Sequence, residues 1–350
     1  MSPHLFYKRS ISGWELLLIE IAARQSQLEQ AVSKLTGLTL TILIFGALVT
    51  FAFLLSERTS ERVQRFLKYL IFLAPALFFL FIGLVAPTFR TLYLSFRDAR
   101  GQESVGWENY QWAFTQPEIL DVLRNTGVWM VVAPLASTGF GLLIAVLTDR
   151  MRRPGLVKSL IFMPMAISFV GAGIIWKFVY QFEPNERAPE IGLLSQIAEW
   201  LGFIPTNWLL VNPLNTFLLI VVFVWIQTGF AMVVLSAAIK AIPDEILEAS
   251  MLDGASGWKR FARVTVPMIR GTIIVVLSTI TIGALKVFDI IRTMTGGNFK
   301  TSVIANEMYN QSFRALNYGT GSALAIILFL GVLPLVAYNV MNLRRERSER

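Results

Sequence analysis

Apolar runs close to the length that crosses a bilayer alternate with short charged connections along this chain. They fall at Leu38–Leu55, Tyr69–Leu94, Thr126–Leu147, Leu160–Tyr180, Thr216–Ala238, Thr272–Ile291 and Ser322–Met341. Each predicts a transmembrane helix, and internal Gly and Pro, Pro134 among them, suit a packed polytopic bundle. Residues 1–37 differ. Trp14, Leu17, Leu18, Ile21 and Ala22 make a helical stripe with Glu15, Glu20, Arg24 and Gln25 pointing elsewhere, which predicts an amphipathic helix in the membrane interface.

One polar stretch stands out between two apolar runs, Pro243 to Pro267. Pro243 ends the run before it, and Asp244 is placed to cap a helix with Glu245 in its first turn. Ile246, Leu247, Met251, Leu252 and Ala255 lie near one side of that helix, and Gly254 sits where it can reverse. Trp258, Phe261 and Ala262 stripe a second short helix that Pro267 stops. The stretch reads either as an amphipathic connector or as a docking element that presents a helix to a partner.

Composition agrees with the pattern. The 350 residues are 55% hydrophobic and 15% charged with mean hydropathy +0.59, against roughly 25% charged in soluble domains. The net charge of +8 follows from where basic residues sit and needs no nucleic acid. Segment 56–68 carries Arg58, Arg62, Arg65 and Lys68, and segment 148–158 carries Arg150, Arg152, Arg153 and Lys158. Lys240, Lys259, Arg260, Arg263 and Arg270 fall in 239–271, and the tail 342–350 holds Arg344, Arg345, Arg347 and Arg350. The alternate loops 95–125, 181–215 and 292–321 hold fewer Lys and Arg over a greater total length. The positive-inside rule therefore puts Pro243–Pro267 and the C-terminus in the cytoplasm. Seven spans then put the N-terminus outside, against the basic residues Lys8, Arg9, Arg24 and Lys34 that precede the first. No cleavable secretion signal is evident in residues 1–37.

Chemistry is excluded by what the chain lacks. It has no cysteine and a single histidine, His4, so there is no Cys or His metal cluster and no Ser-His or Cys-His pair. Loop 95–125 contains Trp107-Glu-Asn-Tyr-Gln-Trp112, and loop 181–215 contains Trp200, Pro205, Trp208 and Pro213. These aromatics read as interface anchors or as an external docking surface.

Glu248-Ala249-Ser250 followed by Asp253-Gly254-Ala255, with Phe261 and Pro267 beyond, resembles the coupling loop of binding-protein-dependent ABC importer permeases. Ser250 stands where that family usually has Ala, a small-for-small change. Trp107-x-Asn109-Tyr110, Arg124-Asn125-Thr126, Met163-Pro164 with Trp176, and Gly192-Leu193-Leu194 are similar to the sugar-type members. So are Trp225-x-Gln227-x-Gly229-Phe230, Phe288-Asp289 with Thr295-Gly296-Gly297, and Tyr318-Gly319. The similarity covers about Tyr69 to Met341.

The resemblance implies an all-α polytopic membrane protein with the ABC importer type-1 transmembrane fold: a six-helix core plus one N-terminal extra, as in the larger maltose or alpha-glucoside permease subunit. Its implied divisions are 1–37, the extra helix at 38–55, a linker with the first core helix and external loop at 56–124, the transmembrane domain at 125–341, and the basic tail 342–350. It implies a non-enzymatic subunit of a prokaryotic plasma membrane importer that moves a disaccharide or oligosaccharide by alternating access. Implied partners are a second permease subunit, two cytoplasmic ATPase subunits that bind the ATP and Mg, and an external solute-binding protein. The resemblance implies no cofactor and no metal in the chain itself.

Glu248, Ala249, Ser250, Asp253, Gly254 and Ala255 would dock on an ATPase, with Glu248 otherwise a solvated surface carboxylate. Ile226, Gln227, Phe230, Thr279, Ile282, Gly283 and Lys286 match positions that line a sugar pocket in the family. Phe230 also suits plain core packing, and Lys286 and Asp289, three apart on a helix, also suit pairing with each other. A permease for glycerol phosphate, a polyamine or an amino acid is the nearest alternative reading, although Lys286 alone supplies a basic group for a phosphate. A stand-alone secondary transporter would show inverted repeats, which are not seen in the sequence. An intramembrane enzyme would need a catalytic pair that no span supplies.

Overall fold

The computed structural model describes residues 73–149, 153–183 and 192–348, with Met151 and scattered positions between 29 and 69. The expected interfacial helix at residues 14–25 lies outside the described residues, as do most of the extra span Leu38–Leu55 and the side chains of 342–350. The chain divides at Pro87 into two compact units. In the N-terminal unit the chain enters α1, Leu73–Leu94, whose most apolar window buries nothing within the chain. Its stretch Phe81–Val85 is wound as a π-helix.

The regular elements among the described residues of the second unit are helices, joined by loops that hold one isolated β-bridge, Arg97 to Ser104. Its elements are α2 (Glu108–Thr115), α3 (Pro117–Asp149), α4 (Pro154–Phe162), α5 (Phe169–Val179), α6 (Leu193–Trp200) and α7 (Leu214–Lys240). After them come α8 (Asp244–Leu252), α9 (Gly257–Met268), α10 (Arg270–Leu285), α11 (Asp289–Met294), α12 (Ile304–Tyr309) and α13 (Tyr318–Ser348). Among the described residues four helices are long and apolar enough to cross a membrane, and up to six spans result if each of two bent pairs counts as one.

Helix α7 is the axis of this unit. It buries 61% of its most apolar window, and α3 lies along it. Trp129 of α3 meets Phe223 of α7 edge-on at 5.7 Å, and Phe169 of α5 stacks on the same ring at 5.6 Å. Trp129 and Phe223 are fully buried. The approach is close enough to require glycine: a Cβ on Gly141 would collide with Ala231 and lie 2.8 Å from the Met232 nitrogen. Small residues let helix backbones approach where lipid gives no hydrophobic drive to association.

Two expected spans are not continuous helices. Leu160–Tyr180 breaks after Phe162 into a 3-10 turn at Met163–Ala166, and α4 meets α5 at 103°. Pro164 lacks an amide hydrogen, and Ser168 restarts the helix by accepting the Gly171 N–H at 3.0 Å. Thr272–Ile291 is likewise broken: α10 ends at Leu285, Lys286–Phe288 is non-helical, and α11 starts at Asp289. Thr279, Gly283, Lys286 and Ile290 therefore do not share one helical face. Lys286 and Asp289 make no ion pair with each other, because the helical spacing that would align them stops at Leu285.

Candidate functional site

The polar stretch after α7 folds as the sequence suggests, with two differences. Asp244 is the first helical residue of α8 and Pro243 is its N-cap, so Asp244 acts on the helix dipole and not as a cap. Pro267 lies inside α9, and the chain turns by 71° only at Ile269, after Met268. Between α8 and α9 the chain makes a Schellman turn. The Ala255 N–H donates to the Ser250 carbonyl and the Gly254 N–H to the Met251 carbonyl, both at 3.0 Å, with Gly254 at φ +72°. Ser250 is the one buried side chain of α8, and its hydroxyl donates to the Leu247 carbonyl at 2.7 Å.

The outer side of this turn is open. Leu252 is 89% and Trp258 74% exposed, and Ile246 and Met251 are exposed as well. Glu248 and Asp253 are exposed and make no ion pair among the described residues. Behind the turn lies a small cavity of about 170 Å³ lined by residues that include Val146, Ile239, Met251 and Phe261. Short paired helices with an apolar outer face, free carboxylates and slack packing behind them suit a rigid body that a partner grips and moves.

The other group of sequence-selected residues lies on α7 and α10. Gln227 is half-buried and adjoins Gly283, since a Cβ on Gly283 would sit 3.6 Å from Gln227 Nε2. Ile282 and Phe230 are half-buried, and Phe230 packs against the core. Thr279 is exposed, with its hydroxyl donating to the Val275 carbonyl at 2.8 Å, and Lys286 is exposed just past the end of α10. Ile226 is 3% exposed and belongs to the core, one position around the helix from Gln227. Gly229 is a packing position: a Cβ there would lie 2.7 Å from the Ile161 carbonyl oxygen at the end of α4.

At the opposite end of α7 from α8, a loop from Thr295 to Ser302 is pinned from two helices. Asn125 Nδ2 donates to the Lys300 and Ser302 carbonyls at 2.6 and 3.0 Å. Asn215 Nδ2 donates to the Phe299 carbonyl at 2.9 Å. Phe299 and Lys300 both adopt positive φ, +56° and +58°, a region that costs non-glycine residues about 1–3 kcal/mol each. Lys300 pairs with Asp121 at 3.0 Å. The sequence pointed to Asn125 and to Thr295-Gly296-Gly297 as separate motifs, and only the fold joins them.

The aromatics read as interface anchors or as a docking surface are partly structural. Trp208 Nε1 donates to Ser195 Oγ at 2.9 Å, while Trp200 is 76% exposed. Trp107 and Tyr110 cluster with Phe96, and Asn109 donates to the Ser95 and Arg97 carbonyls at 2.9 and 2.7 Å. Sequence reasoning missed the Lys158 Nζ to Ser236 Oγ hydrogen bond, which ties α4 to α7. The two residues are 78 positions apart, so no local pattern signals that tie.

Residues 137–348 match the family of binding-protein-dependent transport system inner membrane components. The chain belongs to this family. It is 47% identical over 279 residues to an osmoprotective compounds uptake permease protein of Synechocystis sp., covering 80% of this chain and 100% of that protein. It is 45% identical over 286 residues to an alpha-glucoside transport system permease protein of Rhizobium meliloti, covering 81% of this chain and 85% of the relative. A trehalose/maltose transport system permease protein of Thermococcus litoralis is 32% identical over 295 residues, covering 81% and 95%. The fold matches that of a bacterial ABC transporter involved in import of the acidic polysaccharide alginate, with TM-score 0.69 at 22% identity, covering 81% of this chain and 99% of that one. The permease is thus an all-helical inner membrane component of an importer that depends on a binding protein.

Proposed function

We propose that this permease carries a neutral disaccharide or oligosaccharide inward, and that α8 and α9 couple it to ATP hydrolysis by partner subunits. The observation that carries the coupling is the Schellman turn at Gly254, which holds Glu248 and Asp253 free on an exposed pair of helices. Two ATPase subunits would bind ATP and Mg, and a second permease subunit would complete the path. The basic residues around this turn favour the cytoplasmic side for it and for the C-terminus. The pinned loop at the other end of α7, a helix about 40 Å long, then faces outward towards the solute-binding protein.

Sugar is favoured by relatives named for alpha-glucoside and trehalose/maltose transport and by the neutral character of the Gln227–Gly283 contact. A hydrogen-bonding amide beside half-buried Phe230 offers both an orienting group and an apolar surface. Closure of the ATPase pair would move α8 and α9 as a unit, and the 71° turn at Ile269 would transmit that motion into α10, which carries Thr279, Ile282 and Gly283.

The test is uptake by the reconstituted importer with ATP hydrolysis measured in parallel. Gln227→Ala and Phe230→Ala are expected to lower sugar uptake while hydrolysis stimulated by the loaded binding protein persists. Unchanged uptake in both variants removes them from the path.

A further inference from the structure

Past Gly283 the chain leaves the helix, and the polar surface continues. Lys286 and Asp289 are exposed on either side of the break, with Phe288 as the N-cap of α11. Charges at membrane depth are costly against lipid, so this surface belongs against water or protein. A ladder of rings begins there. The Phe288 and Tyr309 centroids lie 5.2 Å apart, and those of Tyr309 and Phe313 again 5.2 Å, with ring planes tilted by 50° and 38°. Phe313, at the free end, is 66% exposed.

Polar groups edge the ladder. The Arg292 guanidinium lies over one face of the Tyr309 ring, 4.9 Å from its centre, and its Nη1 donates to Asn310 Oδ1 at 3.2 Å. Asn310 and Gln311 donate to Glu307 at 3.3 and 2.8 Å. The backbone at Asn310–Arg314 is a π-helix, a winding that often marks functional positions and here carries Phe313. An apolar ring face bordered by amides and a guanidinium fits a pyranose, which offers C–H groups on its face and hydroxyls at its rim. A purely lipid-facing stripe would not hold Lys286, Asp289 and Arg292 in the same short stretch.

We propose that Phe288, Tyr309 and Phe313, edged by Arg292 and Asn310, form a carbohydrate subsite beyond Gln227 and Gly283, engaged by sugars longer than a disaccharide. The assignment rests on the carbohydrate reading above. Two ring steps of 5.2 Å separate Phe288 from Phe313, so a short sugar that covers the Phe288 end would leave Phe313 uncovered while a longer one would reach it.

The experiment uses the complete reconstituted importer with maltose, trehalose and maltotetraose as probes. Phe313→Ala is expected to cut maltotetraose uptake roughly fivefold relative to the disaccharides, the loss of one aromatic contact, and Phe313→Trp to restore it. Tyr309→Leu gives a second variant with the same expected length dependence, and ATP hydrolysis by the complex stays near wild type in both. An equal change for all probes, or none, overturns the subsite and marks the rings as lipid or subunit packing. A wild-type importer that takes up none of the three overturns the carbohydrate reading and the subsite with it, whereas normal wild-type uptake with length-independent variants overturns the subsite alone.

Discussion

The turn between α8 and α9 and the loop Thr295–Ser302 lie beyond opposite ends of α7, and they hold their shapes by different means. The first is local. Its reversal is closed by two hydrogen bonds within six residues and a positive-φ glycine, and a Cβ at Gly254 would meet no other atom within 4 Å. The second is imposed from afar. Asn125 and Asn215 come from two long helices to hold carbonyls of residues that would otherwise avoid positive φ. A local turn stays intact while it moves as a unit, which a coupling element requires. A loop held from α3 and α7 together must change shape when those helices separate.

The comparison makes its strongest prediction at Gly254. Proline cannot adopt φ +72°, so Gly254→Pro is expected to abolish uptake while the subunit still inserts and the complex still hydrolyses ATP. Charge reversal by Glu248→Lys acts in the same direction without altering the turn. Normal uptake at normal membrane levels in both would sink the coupling assignment. The next effect is at the pins. Asn125→Leu leaves the half-buried Ser302 carbonyl without its donor and Asn215→Leu the half-buried Phe299 carbonyl, at a cost of up to about 1–3 kcal/mol each, while water can replace Asn125 at the exposed Lys300 carbonyl. The expected readout is a lowered unfolding midpoint and faster proteolysis near Phe299, with the α8–α9 turn unaffected.

Smaller effects sharpen the same contrast. Lys300→Ala removes an exposed ion pair with Asp121, worth about 0–1 kcal/mol, so the loop is expected to keep its conformation and thermal stability to change little. A large loss there would mean that the ion pair, and not the asparagines, holds the loop. The last concerns Asp98, in the turn after α1. Burial raises its pKa, and backbone N–H groups of Glu103, Gln102, Arg100 and Gly101 outweigh this, so the net shift is downward. A lowered folded value means that its contribution is present above the ordinary carboxylate range and fades as pH falls through the folded value. Asp98→Asn is expected to flatten that acid-side dependence in an unfolding series.

Much of the fold was readable because its signals are local. Each long helix sits on an apolar run, and the reversal at Gly254 follows from a glycine placed just past the apolar stripe of α8, four residues beyond Ser250. The broken spans were not readable in the same way. Pro164 and Ser168 carried a break signal that the continuous hydropathy of Leu160–Tyr180 concealed. Nothing in Leu285-Lys286-Val287-Phe288 forbids helix, and Val287 is buried where the helix stops. Of the residues assigned to a solute path, Gln227 and Gly283 come together, while Ile226 faces inward into the core and Lys286 leaves the helix.

By itself, then, the sequence determined that the chain is a membrane bundle of helices, which side its basic connections favour, and where α8 must turn back. Those properties depend on hydropathy, charge and backbone freedom, each counted over a few neighbouring residues. Only the tertiary structure decided where α10 stops, which side of α7 faces the core, and that Phe299 and Lys300 are held at positive φ. A helix can break inside a membrane only where other groups satisfy the freed backbone, and a strained loop persists only where distant donors hold it. Those partners lie as much as 177 residues away in the chain, as Asn125 does from Ser302, beyond the reach of any local pattern.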